Sequence, residues 1–167
     1  SIMQLITIPV QGITQGIQPI ISYNYGAGNK ERVKATMKRM ILVCLTGTLL
    51  LAGVAIFAPQ IYTGLFTDNK ELLELTCKVM PVYFLGISIF GIQCACQTSF
   101  ISLGQAKVSL FIALLRKIIL LIPFAIILPK FMGVMGVYRA EPIADVISVL
   151  TTSVVFVITM KKVLRNM

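Results

Sequence analysis

Polar residues along this chain come in clusters, and the stretches between them are long and almost purely apolar. From Met40 to Thr67, and again from Val79 to Ala106, no residue carries a charge. Each run exceeds the roughly 20 residues with which an α-helix crosses a ~30 Å hydrocarbon core. The pattern predicts five membrane segments, at about 5–25, 40–62, 79–103, 108–129 and 143–160. The connections are short and no Ser-rich or charged linker divides the chain, so consecutive helices are expected to pack as antiparallel neighbours. The expected fold class is all-α, one polytopic transmembrane helix bundle over residues 1–167. Composition points the same way: hydrophobic residues make up 57%, charged residues 13%, and mean hydropathy is +0.90, outside the range of soluble domains.

A net charge of +9 would suit nucleic acid if it formed one patch. Lys and Arg fall instead in the connections, and no basic nucleic-acid fold has a signature here, so no nucleic-acid partner is expected. Their distribution sets an orientation through the excess of basic residues on the cytoplasmic side. Lys30, Arg32, Lys34, Lys38 and Arg39 follow the first segment, Lys107 precedes the fourth, and Lys161, Lys162 and Arg165 lie in the tail; these ends are expected to face the cytoplasm. The second and fourth connections, TDNKELLELTCK and PKFMGVMGVYRAEP, hold Asp68, Glu71, Glu74 and Glu141 and are expected to face outward. The chain has no His, and Cys94-x-Cys96 lacks the paired spacing of a zinc site, so neither a nucleophile–base set nor a metal centre is expected, and no enzymatic activity. The four Cys read as small core residues. SIMQLITIPVQG has neither a basic start nor a cleavage site and reads as helix interior rather than a signal peptide, which suggests a fragment of a longer protein.

Against this apolar background the stretch QGIQPIISYNYGAGNKERVK, residues 15–34, stands out. On a helix turning about 100° per residue, Gln11, Gln15, Gln18, Ser22 and Tyr25 fall within a stripe about 80° wide, beside Gly12, Gly16, Pro19, Tyr23 and Gly26. The far side holds Ile13, Ile17, Ile20 and Ile21, with Asn24 as the exception, and suits lipid. Such glutamines either hydrogen-bond neighbouring helices, with glycines permitting close approach, or line a watered cavity. Three glutamines on one stripe, and the carbonyl that Pro19 frees, favour the cavity. Gly26-Ala27-Gly28-Asn29 then ends the helix.

Further polar positions lie inside the other segments. Tyr83, Phe90, Gln93, Gln97 and Phe100 share a face of the third; aromatics beside neutral amides suit either a flat hydrophobic cation held by cation–π attraction or ordinary helix packing. Arg116 and Lys117 lie about 12 Å into the fourth at 1.5 Å per residue. They either snorkel to the surface or, for at most one of them, face the bundle interior. Pro123 is expected to kink this helix. Glu141 and Asp145 share one helix face with Pro142 at a first turn, either as acids favoured by the helix dipole or as a proton or cation entry site.

The strings IPVQGITQGIQPIISYNYGAGNKERVKAT and LGQAKVSLFIALLRKIILLIPFAIILPKFMGVMGVYRAEPIADVIS closely resemble the multidrug and toxic compound extrusion family of secondary transporters, in particular its MepA-like bacterial exporters. The most specific pieces are Gln15-Gly16-x-Gln18-Pro19, Tyr25-Gly26-Ala27, Gly136-Val137 and Glu141-Pro142-x-x-Asp145. The resemblance implies a multi-pass protein of the bacterial plasma membrane with twelve helices in two lobes around a cavity, of which this chain is most of the second lobe, with a cytoplasmic C-terminus. It further implies export of hydrophobic or cationic drugs, and so antibiotic resistance, in exchange for protons or sodium by alternating access, with no cofactor. The partners implied are those substrates, the bilayer and the first lobe of the same protein. Sodium-coupled members carry an acid in the tenth helix, and residues 79–103 have none; proton-coupled members use an aspartate of the first helix, outside this fragment.

On this basis Gln15, Gln18, Pro19, Ser22, Tyr25, Tyr83, Phe90, Gln93 and Gln97 are expected to line the substrate path, with Arg116, Glu141 and Asp145 in an ion or gating role. Two alternatives stand beside this. A flippase for lipid-linked saccharides would need a cavity rich in Arg, and Arg116 is the only arginine within a segment. A non-transporting scaffold subunit would use the polar stripe as helix glue.

Overall fold

The computed structural model describes residues 2–64 and 70–166, all of it helical apart from short turns. The elements are α1 (Ile2–Gly26), α2 (Lys30–Phe57), α3 (Pro59–Thr63), α4 (Lys70–Ser88), α5 (Phe90–Ser102), α6 (Ala106–Leu114), a π-helical stretch (Leu115–Leu121), α7 (Ile122–Met132) and α8 (Val134–Arg165). Four spans among the described residues are long and apolar enough to cross a membrane: Lys30–Phe57, Val79–Ser102, Ala106–Met132 and Tyr138–Arg165. α1 has the length as well, but its four glutamines dilute its hydropathy. Three of the tight turns are closed by Gly28, Gly104 and Gly133 at φ of 59° to 71°, a left-handed conformation that side chains with a Cβ disfavour.

The third span lies at the centre. α5 packs on α1, α2 and α8, while α4 packs on α2 and α8, and this span is the most enclosed of the four. One core cluster joins Val10, Ile21, Met40, Cys44, Phe100, Ile112 and Leu164, and a second joins Ile6, Ala52, Met80, Phe84 and Ile87. Two glycines set the crossings. A Cβ at Gly86 would lie 2.6 Å from the Pro142 Cα, and one at Gly91 would strike the Cys44 carbonyl. Between helices whose apolar faces gain nothing by leaving lipid, this backbone-to-backbone approach contributes van der Waals packing.

Several expectations change. Residues 40–62 are the C-terminal part of a helix that starts at Lys30, followed by the short α3 with Pro59 in its first turn. The third segment is two helices interrupted at Ile89. The fourth connection shrinks to Gly133, and α8 runs from Val134 to Arg165 in place of the expected span 143–160. Asp145 therefore sits three turns inside a helix rather than at its start, and the dipole reading of Glu141 and Asp145 does not hold. The far side of α1 is not a lipid face throughout: Ile21 and Asn24 are buried and Ile17 is half-buried, leaving Ile13 and Ile20 exposed. The buried seam of α1 runs through Ile6, Val10, Thr14, Ile21 and Asn24, a helical spacing offset from the polar stripe. Residues 67–69 of the second connection, including Asp68, lie outside the described residues.

Candidate functional site

α8 carries a polar stripe at Glu141, Asp145, Ser148 and Thr152, spaced four, three and four residues apart and so on one face. Three of its members meet a partner on a facing helix. The Tyr83 hydroxyl on α4 donates to Glu141 Oε2 at 2.6 Å, Arg116 from the π-helical stretch bonds Asp145, and the Ser148 hydroxyl donates to Gln93 Oε1 on α5 at 2.8 Å. Successive rungs thus tie the third, fourth and fifth spans together. Thr152 Oγ1 is buried and has no partner.

The central rung is a buried ion pair. Arg116 is 8% exposed and Asp145 1%. Both Nε and Nη2 of Arg116 donate to the same carboxylate oxygen, Oδ1, each at 2.7 Å. The guanidinium also lies over the Phe90 ring, with Cζ 4.5 Å from the centroid, a cation–π contact that strengthens away from water. Oδ2 of Asp145 is buried and accepts no hydrogen bond. In a membrane interior two charges persist only because each neutralises the other.

Each span that meets here is irregular at the meeting point. The third is interrupted at Ile89, one residue before Phe90, and the freed Ser88 carbonyl is reached by the Thr48 hydroxyl at 3.0 Å. The fourth is π-helical over Leu115–Leu121, ending two residues before Pro123. Proline has no N–H to offer the carbonyl four residues back and crowds it, so the helix widens here, ahead of the proline expected to kink it. α8 carries Pro142 in its interior, against Gly86. The widened stretch turns Arg116 inward while Lys117 stays exposed.

The second polar region is open. Gln11 and Gln15 on α1 are exposed, Gln18 and Tyr25 are half-buried, and Pro19 is exposed. Ser22 is exposed at the residue level, but its hydroxyl donates to the Ser102 carbonyl at 3.1 Å and so ties α1 to α5. A Cβ at Gly12 or Gly16 would meet nothing within 4 Å, so the close contact their positions invite is not made among the described residues.

The predicted residues therefore separate into two groups. Gln15, Gln18, Pro19, Ser22 and Tyr25 follow α1, whereas Tyr83, Phe90, Gln93, Arg116, Glu141 and Asp145 form the closed cluster; Gln97, a turn beyond Gln93, is half-buried. Gln93 is 2% exposed and locked to Ser148, so in this conformation it is enclosed rather than on a cavity wall. The cation over Phe90 is the protein's own Arg116, not a ligand, and Arg116 does not snorkel. Neither Ser148 nor Thr48 stands out in the sequence. Ser148 is legible as the continuation of the Glu141, Asp145 spacing, but the role of Thr48 depends on the break at Ile89 and has no signal of its own. Among the described residues no three His, Cys, Asp or Glu side chains gather as for a metal.

The basic residues Lys30, Lys34, Lys161 and Arg165 meet around one hollow of about 500 Å³ at the end of the bundle formed by the α1–α2 turn and the tail of α8. Phe156 and Met160 also line it.

The fold recurs in known transporters. The structure of the MATE multidrug transporter DinF-BH in complex with rhodamine 6G superposes with a TM-score of 0.85 at 34% identity, over 92% of this chain and 34% of that one. The Vibrio cholerae MATE transporter VcmN in its bent form gives a TM-score of 0.84 at 19% identity, over 98% of this chain and 36% of that one. An FAD transporter of Shewanella oneidensis is 28% identical over 144 residues, 86% of this chain and 32% of the relative. The chain thus spans about a third of the length of these proteins. The MatE family profile matches residues 1–127, and with four spans among the described residues long and apolar enough to cross a membrane, the chain belongs to the MatE family of multi-pass membrane transporters, not to a family of enzymes.

Proposed function

We propose that the parent protein is a secondary active antiporter of the plasma membrane that exports hydrophobic or cationic small molecules in exchange for protons or sodium. This chain is part of its second lobe, and the C-terminus is cytoplasmic. Alternating access moves this lobe against the rest of the protein. Gln15, Gln18, Pro19, Ser22 and Tyr25 line the substrate path, Tyr83, Phe90, Gln93 and Gln97 back it, and Arg116, Glu141 and Asp145 form the ion or gating cluster.

The observation that carries this reading is the uncovered amide face of α1, within a helix whose opposite seam is packed. Exposed glutamines a few turns into a span are costly against lipid and natural against a water-filled path. The hollow ringed by Lys30, Lys34, Lys161 and Arg165 supports the orientation, since a basic rim favours the anionic cytoplasmic leaflet.

The cargo reading rests on charge. Among the described residues the only buried cation is Arg116, and Asp145 already neutralises it. This part of the wall therefore offers amides, hydroxyls and rings rather than a free cation, which suits apolar or cationic cargo better than phosphates. The FAD transporter among the relatives keeps one other cargo in view, an anionic dinucleotide, and a test should include it.

Cells expressing the full-length parent should accumulate less rhodamine 6G than cells without it, and collapse of the ion gradients should abolish the difference. Gln15→Leu with Gln18→Leu should remove most of the effect. Unchanged dye accumulation together with export of FAD would replace the drug reading by the dinucleotide one.

A further inference from the structure

We propose that Asp145 is a proton-binding site of the parent transporter, taking the proton on Oδ2, and that Arg116 is the cation this proton sets free. The proposal deepens the antiporter reading and rests on it, naming where one driving ion binds and which group answers.

The starting point is the asymmetry of the carboxylate. Both guanidinium donors converge on Oδ1, while Oδ2 is enclosed without a partner. Arg–carboxylate pairs frequently form a fork, one N–H to each oxygen. Here one oxygen is saturated and the other is left empty, in a place where an unsatisfied acceptor is costly. A proton on Oδ2 turns that acceptor into part of a neutral acid. It also removes the charge that holds Arg116, leaving weaker hydrogen bonds to Oδ1.

Arg116 stays charged and needs another carboxylate. Glu141 lies one turn along the same face of α8, half-buried, with Oε2 held by Tyr83. Phe90 supplies a neutral surface over which the guanidinium can slide. The backbone of Arg116 is suited to the move: it lies in the π-helical stretch, and passage of that wider turn along the span rotates the side chain without unfolding the helix. Gly86 against Pro142 places the close α4–α8 crossing beside this exchange, so a shift of Arg116 from one rung to the next re-aims α8 against the third span.

The charged and titratable groups around Asp145 are Tyr83 on α4, Cys94 on α5, Arg116 and Lys117 on the π-helical stretch, and Glu141 on α8. Lys117 is exposed, and Glu141 is engaged by Tyr83, so Arg116 alone answers the charge of Asp145 directly. A sodium ion fits poorly, because it needs several oxygen ligands and would sit beside a guanidinium already bonded to the same carboxylate. A proton adds to the oxygen itself and cancels the charge. It enters from water through the half-buried Glu141 and Tyr83 and leaves to water when the pair reforms.

The test uses purified full-length parent as wild type, Asp145→Asn and the double variant Arg116→Gln with Asp145→Asn. Infrared difference spectra between neutral and acidic pH are recorded alongside rhodamine 6G transport in proteoliposomes. The wild type should show the C=O band of a buried protonated carboxyl at acidic pH, and both variants should lack it. Accumulation of the dye driven by a pH gradient should fall about 10- to 100-fold in Asp145→Asn. Absence of the band from the wild type, its persistence in Asp145→Asn, or undiminished gradient-driven accumulation in that variant would overturn the proposal. If Asp145→Asn does not fold, the double variant, which leaves no lone buried charge, carries the same two readouts. If the wild type neither exchanges nor accumulates the dye, the drug-exporter reading fails by itself, and the band alone decides the site.

Discussion

The glutamines of α1 and the charges around α8 are all polar groups within membrane helices, yet the chain treats them in opposite ways. On α1 the amides of Gln11 and Gln15 are uncovered, and a Cβ at the neighbouring Gly12 or Gly16 would meet open space among the described residues. On α8 three of the four stripe residues, Glu141, Asp145 and Ser148, are bonded to a facing helix, and Gly86 and Gly91 on the facing span are pressed against other backbones. Neutral amides can be wetted and dried at modest cost, so a surface that alternates between water and protein is built from them. Full charges cannot, so they are kept dry and matched. The difference separates a surface made to meet something else from a core made to hold one arrangement at a time.

The comparison breaks most visibly if the ion pair is cut. Arg116→Leu should destabilise the full-length parent by about 3–5 kcal/mol in a detergent unfolding assay, because Asp145 is left as an unpaired buried charge. Adding Asp145→Leu should recover most of that loss; a double variant as unstable as the single one would mean that packing, not charge, is what was lost. Next in size is the contrast between glycines. Gly91→Ala should cost about 1–3 kcal/mol as the new methyl meets the Cys44 carbonyl, whereas Gly16→Ala should be near neutral. An equal cost at Gly16 would show that this face is tightly covered elsewhere in the parent. Smallest is Ser148→Ala, about 0.6 kcal/mol, typical of one hydrogen bond between membrane helices.

Where the spans lie is legible in the sequence; what faces what is much less so. Charge-free runs identify spans because the bilayer demands them, whatever the neighbours. Gly133, Gly136 and Pro142 all read as loop signals, but only Gly133 makes a turn; Gly136 is a packing residue against Leu128, and Pro142 sits inside α8. The ion pair is harder to foresee. Arg116 and Asp145 are 29 residues apart, and helix phase carried forward at a constant angle fails across Leu115–Leu121, where the π-helical turn changes it. The helix phase of α1 puts Gln11 and Gln15 on an exposed side, but Ile21 and Asn24 on the far side are buried, because that side of a membrane helix can pack on neighbouring helices as well as on lipid.

The most direct test of the open-and-closed division is thiol labelling. In full-length parent with its native cysteines replaced, Gln15→Cys and Gln93→Cys are each exposed to a water-soluble, membrane-impermeant maleimide applied from both sides. Gln15→Cys should be modified readily and Gln93→Cys at least about tenfold more slowly, since the bundle encloses that position with Ser148. Equal resistance at both positions would contradict the division, since the amides of α1 would then be dry helix contacts and no watered path would run along that face.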